Sequence, residues 1–202
     1  MNRYALTFSV RPGSEAEVAE ILSTYAAPPA GRPEAARPLL DRTSVFMAGQ
    51  VVVRVVDITC PPSVAIRHLA GQPQIRAVEE RLRPHLVEDR DLSDDDSRRR
   101  FLATSVMRVV SSRNGHTGHM ARTAALYQAL PGQGREVARL LGVDGAGSGC
   151  GLTVFRRRDL VVRLLESAEE TPAVPLAGLL APHVQLARPM TLLTDRVVGV
   201  MR

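Results

Sequence analysis

The sequence contains no tryptophan and no lysine, and aromatic residues make up only 3% of its 202 positions. That excludes the row of stacking side chains with which single-strand nucleic-acid binders hold successive bases. All 26 basic residues are arginine, the formal charge is +5 and the pI is about 10.2. Most of the arginines stand singly between acidic or apolar neighbours and not along one stripe, so a nucleic-acid partner is not expected. Cysteine is limited to Cys60 and Cys150, with no Cys-x-x-Cys spacing, which argues against a zinc site and a disulfide scaffold and fits a reducing compartment. No run approaches the roughly 18 apolar residues of a membrane span, and the opening MNRYALTFSVRPG lacks the apolar core of a secretory leader. A soluble, cytoplasmic protein with no membrane partner is expected. GxGxxG after a strand, GxxxxGK[ST], HExxH and GxSxG are all missing, so nucleotide, flavin, zinc-hydrolase and serine-hydrolase readings have no support. Residues 145–151 (GAGSGCG) are glycine-rich but precede a strand, not a helix, and form no phosphate cradle.

What is present is a repeat. Residues 43–57 (TSVFMAGQVVVRVVD) return as residues 152–166 (LTVFRRRDLVVRLLE). Val45 and Phe46 match Val154 and Phe155, Arg54 matches Arg163, and Asp57 has Glu166 as its acidic counterpart. Each copy predicts a β-hairpin, two β-branched runs around a tight polar connection. Tyr4, Leu6, Phe8 and Val10 alternate with smaller or polar residues, the period of a half-buried strand. Ser14 with Glu17 forms a capping-box pattern, and Val18, Ile21, Leu22 and Tyr25 make one helical face. Residues 26–38 are a proline-rich loop. A helical region over 63–86 breaks near 71–73 and carries the stripe Ile75, Val78, Leu82 and Leu86. Residues 88–100 (EDRDLSDDDSRRR) predict an exposed insertion, and 101–113 a strand. The same order follows from Arg122, with Pro131-Gly132 matching Pro12-Gly13, a short helix at 176–184 and a last strand at 190–196.

The expected organisation is therefore repeat 1 over 1–113 with the insertion 88–100, a link at 114–121, and a shortened repeat 2 over 122–202. The expected fold class is α+β, two tandem ferredoxin-like (β-α-β-β-α-β) repeats forming an intramolecular dimeric α/β barrel. Because copy one keeps the longer loops and second helix, its pocket is expected to be the larger.

At period two, Met107, Val109, Ser111 and Arg113 share one face of a strand, as do Met190, Leu192, Thr194 and Arg196. Each would be an apolar wall tipped by a hydroxyl and a guanidinium, a surface that suits an oxygenated aromatic ligand. Phe46 and Phe155 are further ligand contacts. His85 and His183 follow proline at the end of each second helix, where an imidazole can act as general base or simply meet the helix dipole. His116 and His119 in the link have no acidic or cysteine companions at metal-ligand spacing, and no metal is expected. Arg54 and Arg163 sit inside apolar strands. Each is expected either to pair structurally with Asp57 or Glu166, or to bind an anionic substrate.

The RYALTFSVRPG opening, the SVF…VVVRVVD hairpin, the acidic insertion leading into FLATSVMRVVSSR, and the terminal MTLLTDR together resemble the SchA/CurD-like proteins of aromatic (type II) polyketide and spore-pigment biosynthesis in actinomycetes. The duplicated plait also resembles a fused dimeric α/β-barrel monooxygenase. That resemblance implies cofactor-independent oxidation of an anthrone or phenol-type polyketide by O2, giving a quinone or hydroxylated product. On this reading His85 or His183 takes a proton and Arg113 or Arg196 steadies the oxyanion. Members of that class can use a pocket tryptophan, which this chain lacks. The implied partners are an aromatic polyketide and, as a candidate, an acyl carrier protein or another synthase component. The alternatives are a non-oxidising polyketide cyclase or accessory binding protein, and a haem-binding plait with a histidine ligand.

Overall fold

The computed structural model describes residues 2–25, 39–88, 94–115, 120–143, 149–168 and 177–197. His116, His119, the proline-rich loop 26–38, residues 89–93 of the insertion and 145–148 of the glycine-rich segment lie outside the described residues. The fold class is α+β, with antiparallel strand pairing and helices against the sheets. The chain divides into two compact units, Met1–Val106 with Leu193–Arg202, and Met107–Leu192.

In unit 1, β1 (Asn2–Ser9) and β2 (Leu40–Ala48) flank β3 (Val51–Ile58), and both pair with it antiparallel. The β2–β3 hairpin turns on Gly49, whose φ of 54° lies in the left-handed region that glycine enters without steric cost. The side chains of β1 and β3 alternate as the sequence pattern requires, and one face packs on α1 (Glu15–Thr24) and α3 (Pro73–Leu82). Val18, Ile21 and Leu22 from α1 meet Ile75, Val78 and Leu82 from α3 over Val45, Met47 and Val52 of the sheet. Helix α2 (Pro62–Ala70) precedes α3, separated by Gly71 and Gln72, the break expected near 71–73. The last stretch of β8 (Val184–Val197) completes unit 1. Arg42 of β2 makes a bidentate ion pair with its Asp195, and Ser44 Oγ donates to Asp195 Oδ1 at 2.8 Å.

Two details of unit 1 differ from the sequence reading. Ser14 is the N-cap residue of α1 but makes no side-chain cap bond, because its hydroxyl lies 3.1 Å from His85 Nδ1 instead. Residues 101–105 are helical, not strand. They belong to α4 (Asp95–Ser105), which starts on Asp94, whose carboxylate accepts from the amides of Asp96 and Ser97. The helix is held by Asp95–Arg98 and Asp96–Arg99 pairs three residues apart, a stabilisation that leaves no apolar periodicity in the sequence.

Unit 2 orders its strands β4–β6–β7–β5–β8: β4 (Val106–Arg113), whose first residue belongs to unit 1, then β6 (Gly151–Arg157), β7 (Leu160–Ser167), β5 (Ala121–Ala129) and the first part of β8. Strands β8–β5–β7–β6 reproduce the 4-1-3-2 order of a ferredoxin-like plait. Helix α5 (Gly134–Val143) buries Val137, Ala138 and Leu141 against Leu152, Val154, Val161 and Leu165. The second helix shrinks to α6 (Ala177–Leu180), and β8 starts at Val184, six residues before the expected strand. The β6–β7 turn places Arg158 at φ 53°, where repeat 1 has Gly49. Asp159 receives the amides of Gly132 and Gly134, which ties this turn to the start of α5.

Candidate functional site

The central strand of unit 1 presents Val52, Arg54, Val56 and Ile58 to its helices, every second residue of β3. At one end Val52 enters the main core. At the other Leu40, Ile58 and Ala65 form a separate small cluster, with Tyr4 and Val56 packed against it. The two clusters do not merge, because the rows between them carry Arg54 and Thr43 where aliphatics would fill the gap. A cavity occupies that gap. Its floor is Tyr4, Leu6, Phe8, Thr43 and Arg54, and its roof comes from α2, α3 and α4, including Ile66, Leu69, Ile75, Phe101 and Leu102, with Tyr25 at its edge. It offers ≈ 90 Å³ to the centres of water-sized molecules, against roughly 10–15 Å³ for one water on the same measure. Most of the lining is apolar or aromatic; the polar groups are Arg54, Thr43, Glu79 and two tyrosine hydroxyls.

Arg54 has no carboxylate partner among the described residues. Its contacts are Nη2 to Tyr25 Oη at a long 3.4 Å, and the Tyr25 ring, whose centroid is 5.5 Å from Cζ. The expected structural pair with Asp57 does not form, for a geometric reason. Residues three apart on a strand point to opposite faces. Asp57, 1% exposed, instead pairs with Arg3 directly across the β1–β3 register, with Nε to Oδ1 at 2.7 Å. In unit 2, Arg122 and Glu166 are the equivalent cross-strand pair at 2.9 Å, so Glu166 has Arg122 as its partner across the register as well. Arg163 shares its helix-side face with Val161 and Leu165 and is 4% exposed.

Thr43 is 4% exposed, and its Oγ1 is buried with no hydrogen-bond partner among the described residues. An unsatisfied buried hydroxyl costs about 1–3 kcal/mol. The equivalent position in repeat 2 is Leu152, 1% exposed, and there the core is one continuous cluster across the face. The fold therefore accepts an aliphatic at this point, and repeat 1 places a hydroxyl there instead.

The other residues singled out in the sequence are distributed more widely. Among the proposed catalytic residues, none lines this cavity. His85 and His183 occupy matching structural positions. The carbonyl of each receives an amide from the end of a first strand, Arg11 or Leu130, while Nδ1 lies 3.1 Å from Ser14 Oγ and 3.2 Å from Gln133 Oε1 respectively. Arg196 stacks on the cavity's edge residue, with Cζ 4.4 Å from the Tyr25 centroid and Nη2 donating to the Tyr25 carbonyl at 2.6 Å. Arg113 is exposed on β4. The expected wall of Met107, Val109 and Ser111 is interrupted by a bulge between Val109 and Ser111, and Val109 is exposed while Met107 is buried. Along β8, Met190 and Thr194 are buried but Leu192 between them is exposed, and Thr194 and Arg196 belong to unit 1 while Met190 and Leu192 belong to unit 2. Phe46 and Phe155 are fully buried and lie outside the cavity lining. Of the predicted ligand contacts, Arg54 lines the cavity.

Thr43, Tyr25 and Glu79 were not among the predicted site residues. The mismatch of Thr43 with Leu152 between the two repeats was the available signal for Thr43. Tyr25 carries no such mark, since it also completes the apolar face of α1.

No helix among the described residues is long and apolar enough to cross a membrane, and no group of three or more metal-ligating side chains occurs among them. Residues 1–115 match the family described as SchA/CurD like domain. The chain is similar to "Polyketide synthase CurD" of Streptomyces cyaneus, 42% identical over 189 residues, covering 89% of this chain and 51% of that protein. It is also similar to the "42.8 kDa protein in whiE locus" of Streptomyces coelicolor, 44% identical over 186 residues, covering 85% of this chain and 46% of that one. The chain thus spans about half the length of the curated relatives it matches. Among solved structures, an anthrone oxidase-like protein aligns over 98% of this chain and 93% of its own, with 9% identity and a TM-score of 0.42. At that score the likeness carries no argument about chemistry. With more than half its length matched, the chain belongs to the SchA/CurD-like family.

Proposed function

We propose that this protein oxidises an aromatic polyketide intermediate of the anthrone or phenol type with O2, without a cofactor, in the cavity of unit 1. The observation that carries the reading is a guanidinium with no carboxylate partner among the described residues, Arg54, set among apolar and aromatic side chains. A cation there is stabilised by a ligand's oxyanion, and flat apolar walls accommodate rings. The names of its relatives, a polyketide synthase protein and a whiE-locus protein, support the substrate class.

The substrate supplies the electrons. Glu79, the carboxylate in the cavity wall, takes a proton from the ring methylene, and Arg54 stabilises the enolate that results. The carbanion form passes one electron to O2. Recombination of superoxide with the carbon radical forms a C–O bond, and the hydroperoxide loses water to leave a carbonyl. One oxygen atom enters the product and the other leaves as water, so a methylene becomes a ketone and O2 is reduced by four electrons, all from substrate.

The test is incubation of metal-free protein with anthrone under 18O2, following label in the quinone by mass spectrometry. Protein-dependent incorporation of one 18O is expected. No label from an anthrone that demonstrably binds would refute oxidation and favour a cyclase or an accessory binding protein.

A further inference from the structure

Thr43 and Arg54 occupy the same face of neighbouring strands. Thr43 pairs with Val56 and Val45 with Arg54, so the two polar residues are diagonal neighbours, about 7–8 Å apart at the backbone. Both line the cavity. The Thr43 hydroxyl is buried and without a partner among the described residues, in a position where the other repeat has leucine. Neither strand pairing nor core packing uses that hydroxyl, which leaves the cavity's occupant as its hydrogen-bond partner.

We infer that Thr43 is the specificity-determining residue of the cavity. It hydrogen-bonds a second, neutral oxygen of the ligand while Arg54 holds the anionic one. The two groups together select a polyoxygenated ring system over one with a single oxygen. This rests on the cavity being the substrate site proposed above, but not on oxidation being the reaction. A hydroxyl both donates and accepts, so either a ring carbonyl or a phenolic hydroxyl satisfies Thr43. A site built to hydrogen-bond such an oxygen rejects the analogue lacking it, because its own buried polar group then stays unpaired.

The experiment is equilibrium binding under nitrogen, which removes O2 and so separates recognition from turnover. The full chain is titrated with 1,8-dihydroxyanthrone and with anthrone. Wild type is expected to hold the dihydroxy compound about tenfold more tightly, the worth of one well-placed hydrogen bond. Thr43→Val, close in shape, should reduce that preference to within about twofold by weakening the dihydroxy compound alone. Thr43→Ser should keep it. Thermal melting of Thr43→Val at or above wild type shows that the fold is intact. Equal loss of both ligands in Thr43→Val would indicate a merely structural role, and unchanged discrimination would remove Thr43 from recognition. Either result overturns the inference, as does failure of both ligands to bind wild type. Discrimination by a protein that gives no 18O label would instead keep the inference and overturn the oxygenase reading.

Discussion

Replacing Arg54 by methionine should weaken ligand binding far more than it weakens the fold, and replacing Arg3 by methionine should do the reverse. Arg54 contributes to folding one long hydrogen bond to Tyr25 and a cation–π contact at 5.5 Å. Such a contact is worth about 0.5–1 kcal/mol, and a methionine in the cavity wall regains part of it through apolar burial. The net stability change should stay within about 1 kcal/mol. A charge-assisted hydrogen bond to a ligand oxyanion is worth about 1.5–3 kcal/mol, which is roughly a 10- to 150-fold rise in Kd. Arg3 faces the 1%-exposed Asp57, and its removal leaves a buried carboxylate without that partner, at a cost of about 3–5 kcal/mol. Urea midpoints measure the first quantity, and fluorescence titration with 1,8-dihydroxyanthrone measures the second. If Arg54→Met unfolds like Arg3→Met, Arg54 is a structural cation and the site argument fails. Unchanged ligand affinity in a folded Arg54→Met would refute it equally.

Five further variants have expected outcomes. Glu79→Gln should lower 18O incorporation by about 10²–10⁴-fold, whereas His85→Ala, which loses the Ser14 contact, should cost about 1 kcal/mol of stability and leave the label unchanged. Arg158→Gly should raise the urea midpoint by the equivalent of about 0.5–1 kcal/mol, because it relieves roughly 1–2 kcal/mol of left-handed strain and returns about 0.5–1 to the entropy of the unfolded chain. Asp159 accepts the Gly132 and Gly134 amides, which holds its carboxyl below the ordinary range. Its folded pKa is therefore lower than its unfolded one, so the stabilisation is present above about pH 4 and fades as pH falls through the folded value. Melting temperature against pH should accordingly decline less steeply on the acid side in Asp159→Asn than in wild type. Asp195→Ala, which removes the bidentate partner of Arg42, should cost about 2–3 kcal/mol by chemical denaturation.

Much of the fold was legible because strands advertise themselves. The alternation in β1 and the duplicated hairpin located both sheets. Of the two roles open to Arg54 in the sequence, the pair with Asp57 is excluded by strand geometry, since an odd separation on a strand divides two residues between faces. Helix α4 was illegible for the opposite reason. Its order comes from an aspartate cap and acid–base pairs on its surface, and Phe101 and Leu102 alone reach the cavity. In β4 the bulge after Val109 breaks the period of two that would align Met107, Val109, Ser111 and Arg113 on one face. The site was half visible. Arg54 stood out as a charge in an apolar run, but that it lacks a carboxylate follows only from the register that gives Asp57 to Arg3.

The ion pair between Arg42 and Asp195 joins positions 153 residues apart within the unit that holds the cavity. During synthesis, β1, β2 and β3 leave the ribosome long before the strand carrying Asp195 exists. Until then Arg42 and the Ser44 hydroxyl have no Asp195 to meet, and the three-stranded sheet waits with that edge contact unmade. Completion of the sheet that floors the cavity thus depends on translation reaching the last strand of the second repeat. A chain stopped after repeat 1 would carry every residue named in the cavity and still lack the aspartate that fastens its sheet.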